Sequence, residues 1–236
     1  MTTAQGLAVV IGSSGGLGAA LLAQLEHHDN YAKVLGLGRH SQMSVDYLRE
    51  TSIASAAQAV AVMCAAEKLE LRLLIVATGF LHGQAGQPER SWTNLEAGYL
   101  EHAFKINTFG PALVMKHFFP LLPKQGRCVA GFLSAKVGSI GDNALGGWYG
   151  YRASKAALNQ LVKTASIELT RRNRQSICVA LHPGTVSTAL SEPFAKTGLK
   201  VRPAPEAASD LLTVLQALVP DDTGCLVDYR GQKLPF

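Results

Sequence analysis

A chain of 236 residues, 47% hydrophobic and 17% charged, is long enough to bury one large core and too apolar to remain disordered. Its net charge of +5 is scattered, and the densest basic cluster, Arg171, Arg172 and Arg174, falls where a helix should end, so it reads as dipole compensation rather than a nucleic-acid surface. Cys64, Cys128, Cys178 and Cys225 form no CxxC pair, and the seven histidines show no ligand spacing, which favours reduced thiols and excludes a zinc site from the reading.

The opening stretch MTTAQGLAVVIGSSGG carries no basic leader, and glycines break its apolar run, so neither a signal peptide nor a membrane span is expected and a cytoplasmic location is. No linker or internal repeat divides the chain, and residues 1–236 are read as one domain. Strand-length apolar runs alternate with helical segments throughout, the pattern of a parallel sheet covered on both faces. Residues 7–11 form the first expected strand, and residues 16–28 a helix with Leu17, Leu21, Leu22 and Leu25 as its apolar positions. Residues 34–37 follow as a second strand, residues 44–48 as a short third, and residues 54–66 as a helix rich in Ala and Val. The continuous apolar run 71–76 reads as a central strand. Residues 92–122 are long enough for one extended or bent helix ending near Pro120 and Pro123. A strand at 128–134, a helix at 151–170, a strand at 177–181, a helix at 205–218 and a strand at 224–228 complete the series.

Two spacings carry chemistry. The first strand runs into Gly12-Ser-Ser-Gly15-Gly16-Leu-Gly18 and then a helix, so Gly12 and Gly16 let the backbone turn tightly against a pyrophosphate held at the helix N-terminus, while Gly18 allows close helix packing. Tyr151 and Lys155 stand four apart and therefore share one helix face, where a lysine cation favours the phenolate of a general acid/base.

This GxxxGxG loop, together with Tyr151-Arg-Ala-Ser-Lys155, resembles the short-chain dehydrogenase/reductase family over almost the whole chain. The stretches 137–143 and 146–159 resemble more narrowly its branch of sniffer-like carbonyl reductases and C-factor proteins. The resemblance implies a doubly wound Rossmann-type parallel sheet of about seven strands, with helices on both faces. It implies that Lys155 holds the nicotinamide ribose, that Asn107 of the segment Asn107-Thr-Phe-Gly110 perturbs its helix and anchors a water, and that a serine binds the substrate oxygen. Counting three residues back from Gly138 lands on Ala135. Ser134 at the strand end is preferred over Ser139 in the loop, and both stay open.

Arg39, after the second strand, stands where an acidic residue would otherwise bind a free ribose, so a 2′-phosphate and NADP(H) are expected, with Ser13 and Ser41 assisting. Ser14 and Leu17 belong to the same phosphate loop, and Asp46 resembles the family aspartate near the adenine. Val76-Ala77-Thr78-Gly79 replaces Asn-Asn-Ala-Gly, so a bracing asparagine is absent while passage of the cofactor past Gly79 is retained. Pro183, Gly184, Val186 and Thr188 match the segment that contacts the nicotinamide amide, and Phe80, Leu81, Trp148, Tyr149 and Phe194 are the expected pocket for an apolar or aromatic carbonyl. The reading is a reductase of a small-molecule ketone, aldehyde or quinone, with room for a homodimer or tetramer. The rival is a non-catalytic dinucleotide sensor or C-factor-like signalling protein.

Overall fold

The computed structural model describes residues 3–28, 30–194 and 201–236; Met1 and Thr2, part of the stretch read for a leader, lie outside them. Strands β1 (Thr3–Ile11), β2 (Tyr31–Leu37), β3 (Glu70–Val76), β4 (Cys128–Leu133), β5 (Ser176–His182), β6 (Leu226–Asp228) and β7 (Lys233–Leu234) build one sheet in the order β2-β1-β3-β4-β5-β6-β7. Pairing is parallel through β6, and β7 returns antiparallel along it. The chain reverses direction across the sheet between β1 and β3, and a crevice opens at the carboxyl ends of such strands.

Burial on both faces explains the unbroken apolar runs. Leu7, Val9, Leu74, Val76, Ala130, Phe132, Cys178 and Ala180 point to one side, where α2 (Glu50–Glu67), α4 (Gly110–Phe118) and α5 (Tyr149–Arg172) cover them. Ala8, Val10, Leu73, Ile75, Val129, Leu133, Val179 and Leu181 point to the other, under α1 (Gly16–His27) and α6 (Ala204–Ala217). The period of two that places neighbours on opposite faces is thus satisfied twice.

Two expected elements differ. Residues 92–122 hold a helix that starts later than expected and runs unbroken from Ala97 to Leu121, as α3 (Ala97–Phe104), a π turn (Lys105–Phe109), α4 and a closing 3₁₀ turn (Phe119–Leu121), with a separate 3₁₀ turn (Trp92–Asn94) before it. Residues 44–48 form no strand. Val45 N–H instead bonds the Gly38 carbonyl at 3.0 Å, the Asp46 carboxylate accepts the Leu48 N–H at 3.0 Å, and the Tyr47 ring turns inward over Gly110. There the Tyr47 hydroxyl accepts a hydrogen bond of 2.9 Å from Thr78 Oγ1. Thr78 lies in the segment that lacks the bracing asparagine, so the Tyr47 contact ties this strand end to α4.

A Cβ on Gly110 would fall inside the Tyr47 ring. Gly110→Ala is therefore expected to cost about 2 kcal/mol through overpacking, and less when Tyr47 is already alanine. Urea unfolding of the four proteins in that cycle checks this; additivity within about 0.5 kcal/mol would contradict the wedge.

Candidate active site

The crevice is floored by the glycine turn. Gly12 has φ +88°, and its N–H bonds the Leu37 carbonyl at 2.8 Å, which bends the chain from β1 into α1. A Cβ on Gly18 would collide with the Gly12 carbonyl, so α1 can start this close to β1 only with glycine there. Two cavities open above the turn. One of about 310 Å³ is lined by Gly12, Ser14, Arg39, Asp46, Leu48 and Phe80, the other of about 370 Å³ by Gly16, Leu17, Leu81, Trp148, Tyr151 and Phe194. Gly15, Ala77, Thr78 and Gly79 line both, so the two form one trough.

Most residues expected at a dinucleotide line this trough, including Pro183, Gly184, Val186 and Thr188. Ser13, Ser41 and Gly18 do not. Ser13 Oγ donates to the Leu37 carbonyl at 3.3 Å, and Ser41 Oγ closes its own loop by accepting the Gly38 N–H at 2.9 Å. The serine beside Arg39 is Ser14, whose Oγ would lie 3.5 Å from a Cβ on Gly38. Arg39 is exposed, and its guanidinium has no carboxylate partner among the described residues. Asp46 pairs with Arg49 at 2.9 Å, and the Leu48 N–H, followed by Arg49, holds its carboxyl below the usual range.

One turn of α5 separates Tyr151 and Lys155, and the Lys155 Nζ sits 5.9 Å from the centre of the Tyr151 ring. Both are buried, at 8% and 2% exposure. Burial pushes the phenol up to about 12 and the amine down to about 7. Lys155 Nζ donates to the Leu133 carbonyl at 2.8 Å, which fixes it at the end of β4. Asn107 sits inside the π turn, fully buried. Its Oδ1 accepts the Phe80 N–H at 2.7 Å, and its Nδ2 donates to the Phe80 carbonyl at 2.8 Å and to Ser154 Oγ at 3.0 Å. Ser154 Oγ in turn donates to the Tyr151 carbonyl at 2.9 Å. The π turn widens the helix where this polar side chain is needed, as π bulges at functional sites do.

Of the two serines only Ser134 lines the cavity, and its hydroxyl proton is engaged. Ser134 is 4% exposed and donates to Asn159 Oδ1 on α5 at 2.7 Å, while Ser139 accepts the Asp142 N–H at 3.1 Å and does not line the cavity. Turning Ser134 toward substrate would leave Asn159 Oδ1 buried without a donor, a cost of about 1–3 kcal/mol. Ala135 lines the cavity and packs in one cluster with Tyr151 and Leu81. Ser134→Ala is accordingly expected to lower the melting temperature by a few degrees, for about 1 kcal/mol, and to change kcat less than about threefold. A hundredfold fall in kcat with an unchanged melting temperature would reverse that assignment.

Leu81, Trp148 and Phe194 line the 370 Å³ cavity; Phe80 and Tyr149 do not. Phe80 faces the other half of the trough and stacks edge-on against His102, with ring centres 4.5 Å apart. Trp148 has φ +54°, unusual for a bulky residue, and its N–H bonds the Glu89 carbonyl at 2.6 Å. That turn aims the indole at Phe194, 5.3 Å away, and at Tyr151, 6.1 Å away. Sequence reasoning missed Glu89, whose buried carboxylate accepts the Gly150 N–H at the start of α5, and missed Ser154 and Leu190. For Ser154 the one signal in the sequence is a small polar residue directly before Lys155.

A sheet switch point under a glycine turn, continuous with a buried tyrosine and lysine on one helix face, defines a Rossmann-type oxidoreductase. The chain belongs to the short chain dehydrogenase family, which matches residues 6–198. The C-signal protein of Myxococcus xanthus is 34% identical over 137 residues, 58% of this chain and 78% of that protein. An NADPH-bound carbonyl reductase from chicken fatty liver superposes with a TM-score of 0.84 at 23% identity, covering 98% of this chain and 99% of that one. The carbonyl reductase Sniffer of D. melanogaster gives 0.83 at 21% identity over the same shares. Among the described residues no helix is long and apolar enough to cross a membrane.

Proposed function

We propose that this protein is an NADP(H)-dependent oxidoreductase, one domain over residues 1–236, that exchanges hydride with the carbonyl or alcohol carbon of a small apolar or aromatic molecule. The observation that carries the reading is the Tyr151–Lys155 pair in the wall of an apolar cavity continuous with the phosphate turn, backed by the buried Asn107 through Ser154. The trough fits a dinucleotide. Gly79 lines both cavities, and a Cβ there would meet Lys155 Nζ at 3.7 Å and Asn107 Oδ1 at 3.8 Å, ordinary contact distances.

Gly12, Ser14, Gly16 and Leu17 would hold the pyrophosphate, with the α1 N-terminus facing it. Arg39 would pair with the 2′-phosphate, Asp46 would flank the adenine, and Pro183, Gly184, Val186 and Thr188 would border the nicotinamide. When bound, the reduced dinucleotide supplies hydride to the carbonyl carbon. Tyr151, protonated at neutral pH, hands its phenolic proton to the carbonyl oxygen. Lys155, poised near neutrality, steadies the phenolate left behind and would hold the nicotinamide ribose. Leu81, Leu133, Val137, Trp148 and Phe194 exclude water from the reacting pair.

An NADPH-oxidation assay against ketones, aldehydes and quinones tests the activity. The cofactor preference rests on Arg39. A guanidinium makes charge-assisted bonds to a phosphate but not to the hydroxyl of NADH; discounted for exposure, the difference is about 1.5 kcal/mol. Arg39→Asp is expected to cut the NADPH:NADH ratio of kcat/KM at least about tenfold. A wild type that prefers NADH, or a mutant with the ratio unchanged, would refute the preference.

A further inference from the structure

Resting on that function, we infer that Glu89 is a positioning residue for the reaction: from the loop after β3 it seats the first turn of α5, and so sets where the Tyr151 hydroxyl and the Trp148 indole stand in the cavity. Glu89 is 3% exposed, and among the described residues no cation pairs with it. A carboxylate in such a place is costly unless its oxygens are used as acceptors. Both are used, since the Gly150 N–H donates to Oε1 at 3.2 Å and to Oε2 at 3.1 Å. Gly150 is the second residue of α5, where amides have no partner within the helix, and Trp148 before it supplies no side-chain cap. Glu89 brings that cap from another part of the chain.

The same residue holds the strained entry to the helix. Gly146, Gly147 and Trp148 have φ of +65°, +67° and +54°, three left-handed residues in succession. A bulky residue keeps that conformation only where its surroundings over-determine it. The Trp148 N–H donates to the Glu89 carbonyl at 2.6 Å, so main chain and side chain of one residue grip positions 148 and 150. Arg152 braces the turn from within α5, donating to the Gly147 carbonyl at 2.9 Å and to the Gly146 carbonyl at 3.1 Å. Glycine alone fits the slot at 150, since a Cβ there would stand 2.8 Å from the Tyr99 ring and 3.1 Å from Glu89 Oε1. Tyr99 in turn donates its hydroxyl to the Leu81 carbonyl at 2.8 Å. The loop that carries Leu81 into the cavity thus also receives α5, and the residue after Gly150 is Tyr151. A phenol one residue beyond a seated backbone is placed with it, and a misplacement of about 1 Å at a reacting group can cost about a hundredfold in turnover.

The test compares Glu89→Leu, which removes the acceptor oxygens and keeps the bulk, with Glu89→Gln, which keeps an acceptor at the same reach. For a carbonyl that wild type reduces, kcat is expected to fall about tenfold or more in Glu89→Leu and to stay within about threefold in Glu89→Gln. NADPH affinity is expected to stay within about threefold in both. A second readout needs no turnover. With the exposed Trp92 replaced by Phe, Trp148 is the one tryptophan left, and its emission should move to longer wavelength in Glu89→Leu but not in Glu89→Gln. Unchanged kcat or unchanged emission in Glu89→Leu overturns the inference, as does a Gln variant as poor as the Leu variant, or NADPH affinity lost in step with kcat. Should Glu89→Leu fail to fold, Glu89→Asp draws the carboxylate back from Gly150 by one methylene and is read by the same measures. A fall in its kcat at unchanged NADPH affinity supports the inference, and wild-type kcat overturns it. NADPH oxidation by wild type upholds the function independently of Glu89. Silence toward every carbonyl removes the function and leaves the Trp148 emission to decide on Glu89.

Discussion

Tyr151→Phe is expected to lower carbonyl reduction by ~2–4 powers of ten while NADPH affinity stays within about threefold of wild type. The substitution removes one oxygen and its proton. The ring keeps its packing with Trp148 and Ala135, and the helix keeps its Asn107–Ser154 support, so the trough should survive intact. Burial holds the phenol at about 12, so in the working range it is a donor. Steady-state kinetics together with a fluorescence titration of NADPH separate the two effects. A mutant that retains a tenth of wild-type turnover would contradict the acid role.

The second large effect is on stability. The unfolded chain holds the Lys155 proton up to about pH 10.5, the folded chain only up to about 7. Between those values the unfolded state binds more protons, so stability rises with pH; the burden is complete below about 7 and gone above about 10.5. Lys155→Met keeps the bulk of the side chain without the charge. Set against the Leu133 carbonyl losing its donor, the mutant should be more stable than wild type by roughly 2 kcal/mol at pH 7 and less stable by roughly 1–2 kcal/mol at pH 10, where little of the burden remains and the lost hydrogen bond dominates. It should also be inactive and bind NADPH more weakly. Urea unfolding at the two pH values checks the sign, and a mutant less stable at pH 7 would show that the buried amine is paired more favourably than its surroundings indicate. Tyr151, whose raised phenol erodes stability only above about pH 10, does not confuse that window.

What could be read from the sequence followed from repetition and spacing. Buried strands such as β3 and β5 announce themselves because both of their faces are covered, and the 151/155 spacing places two side chains on one helix face whatever surrounds them. The direction of a hydroxyl does not follow from spacing. Ser134 was placed at the right strand end, yet its proton goes to Asn159, twenty-five residues later in the chain, and only the packed helix decides that. Residues 44–48 alternate like a strand, but Tyr47 finds its slot over Gly110, a contact between segments far apart in sequence. Phe80 and Tyr149 adjoin Leu81 and Trp148 in sequence, yet they do not line the carbonyl cavity. The left-handed turn at Trp148 and the hold of Asn107 on the Phe80 backbone send the side chains apart. The cofactor loop was legible in its glycines, less so in its serines, since Ser13 and Ser41 serve the loops that carry them.

The loop in place of a strand at residues 44–48 has a further consequence for the sheet. Among the described residues β2 pairs with β1 alone, so the outer row of amides and carbonyls along Tyr31–Leu37 is a free template on which another extended chain can add. A lysine facing such an edge is a common guard, and Lys33 stands there, held at 2.6 Å by the Glu67 carboxylate at the end of α2. Acid or high salt weakens that pair and leaves the row less protected, so self-association of this protein should begin at β2.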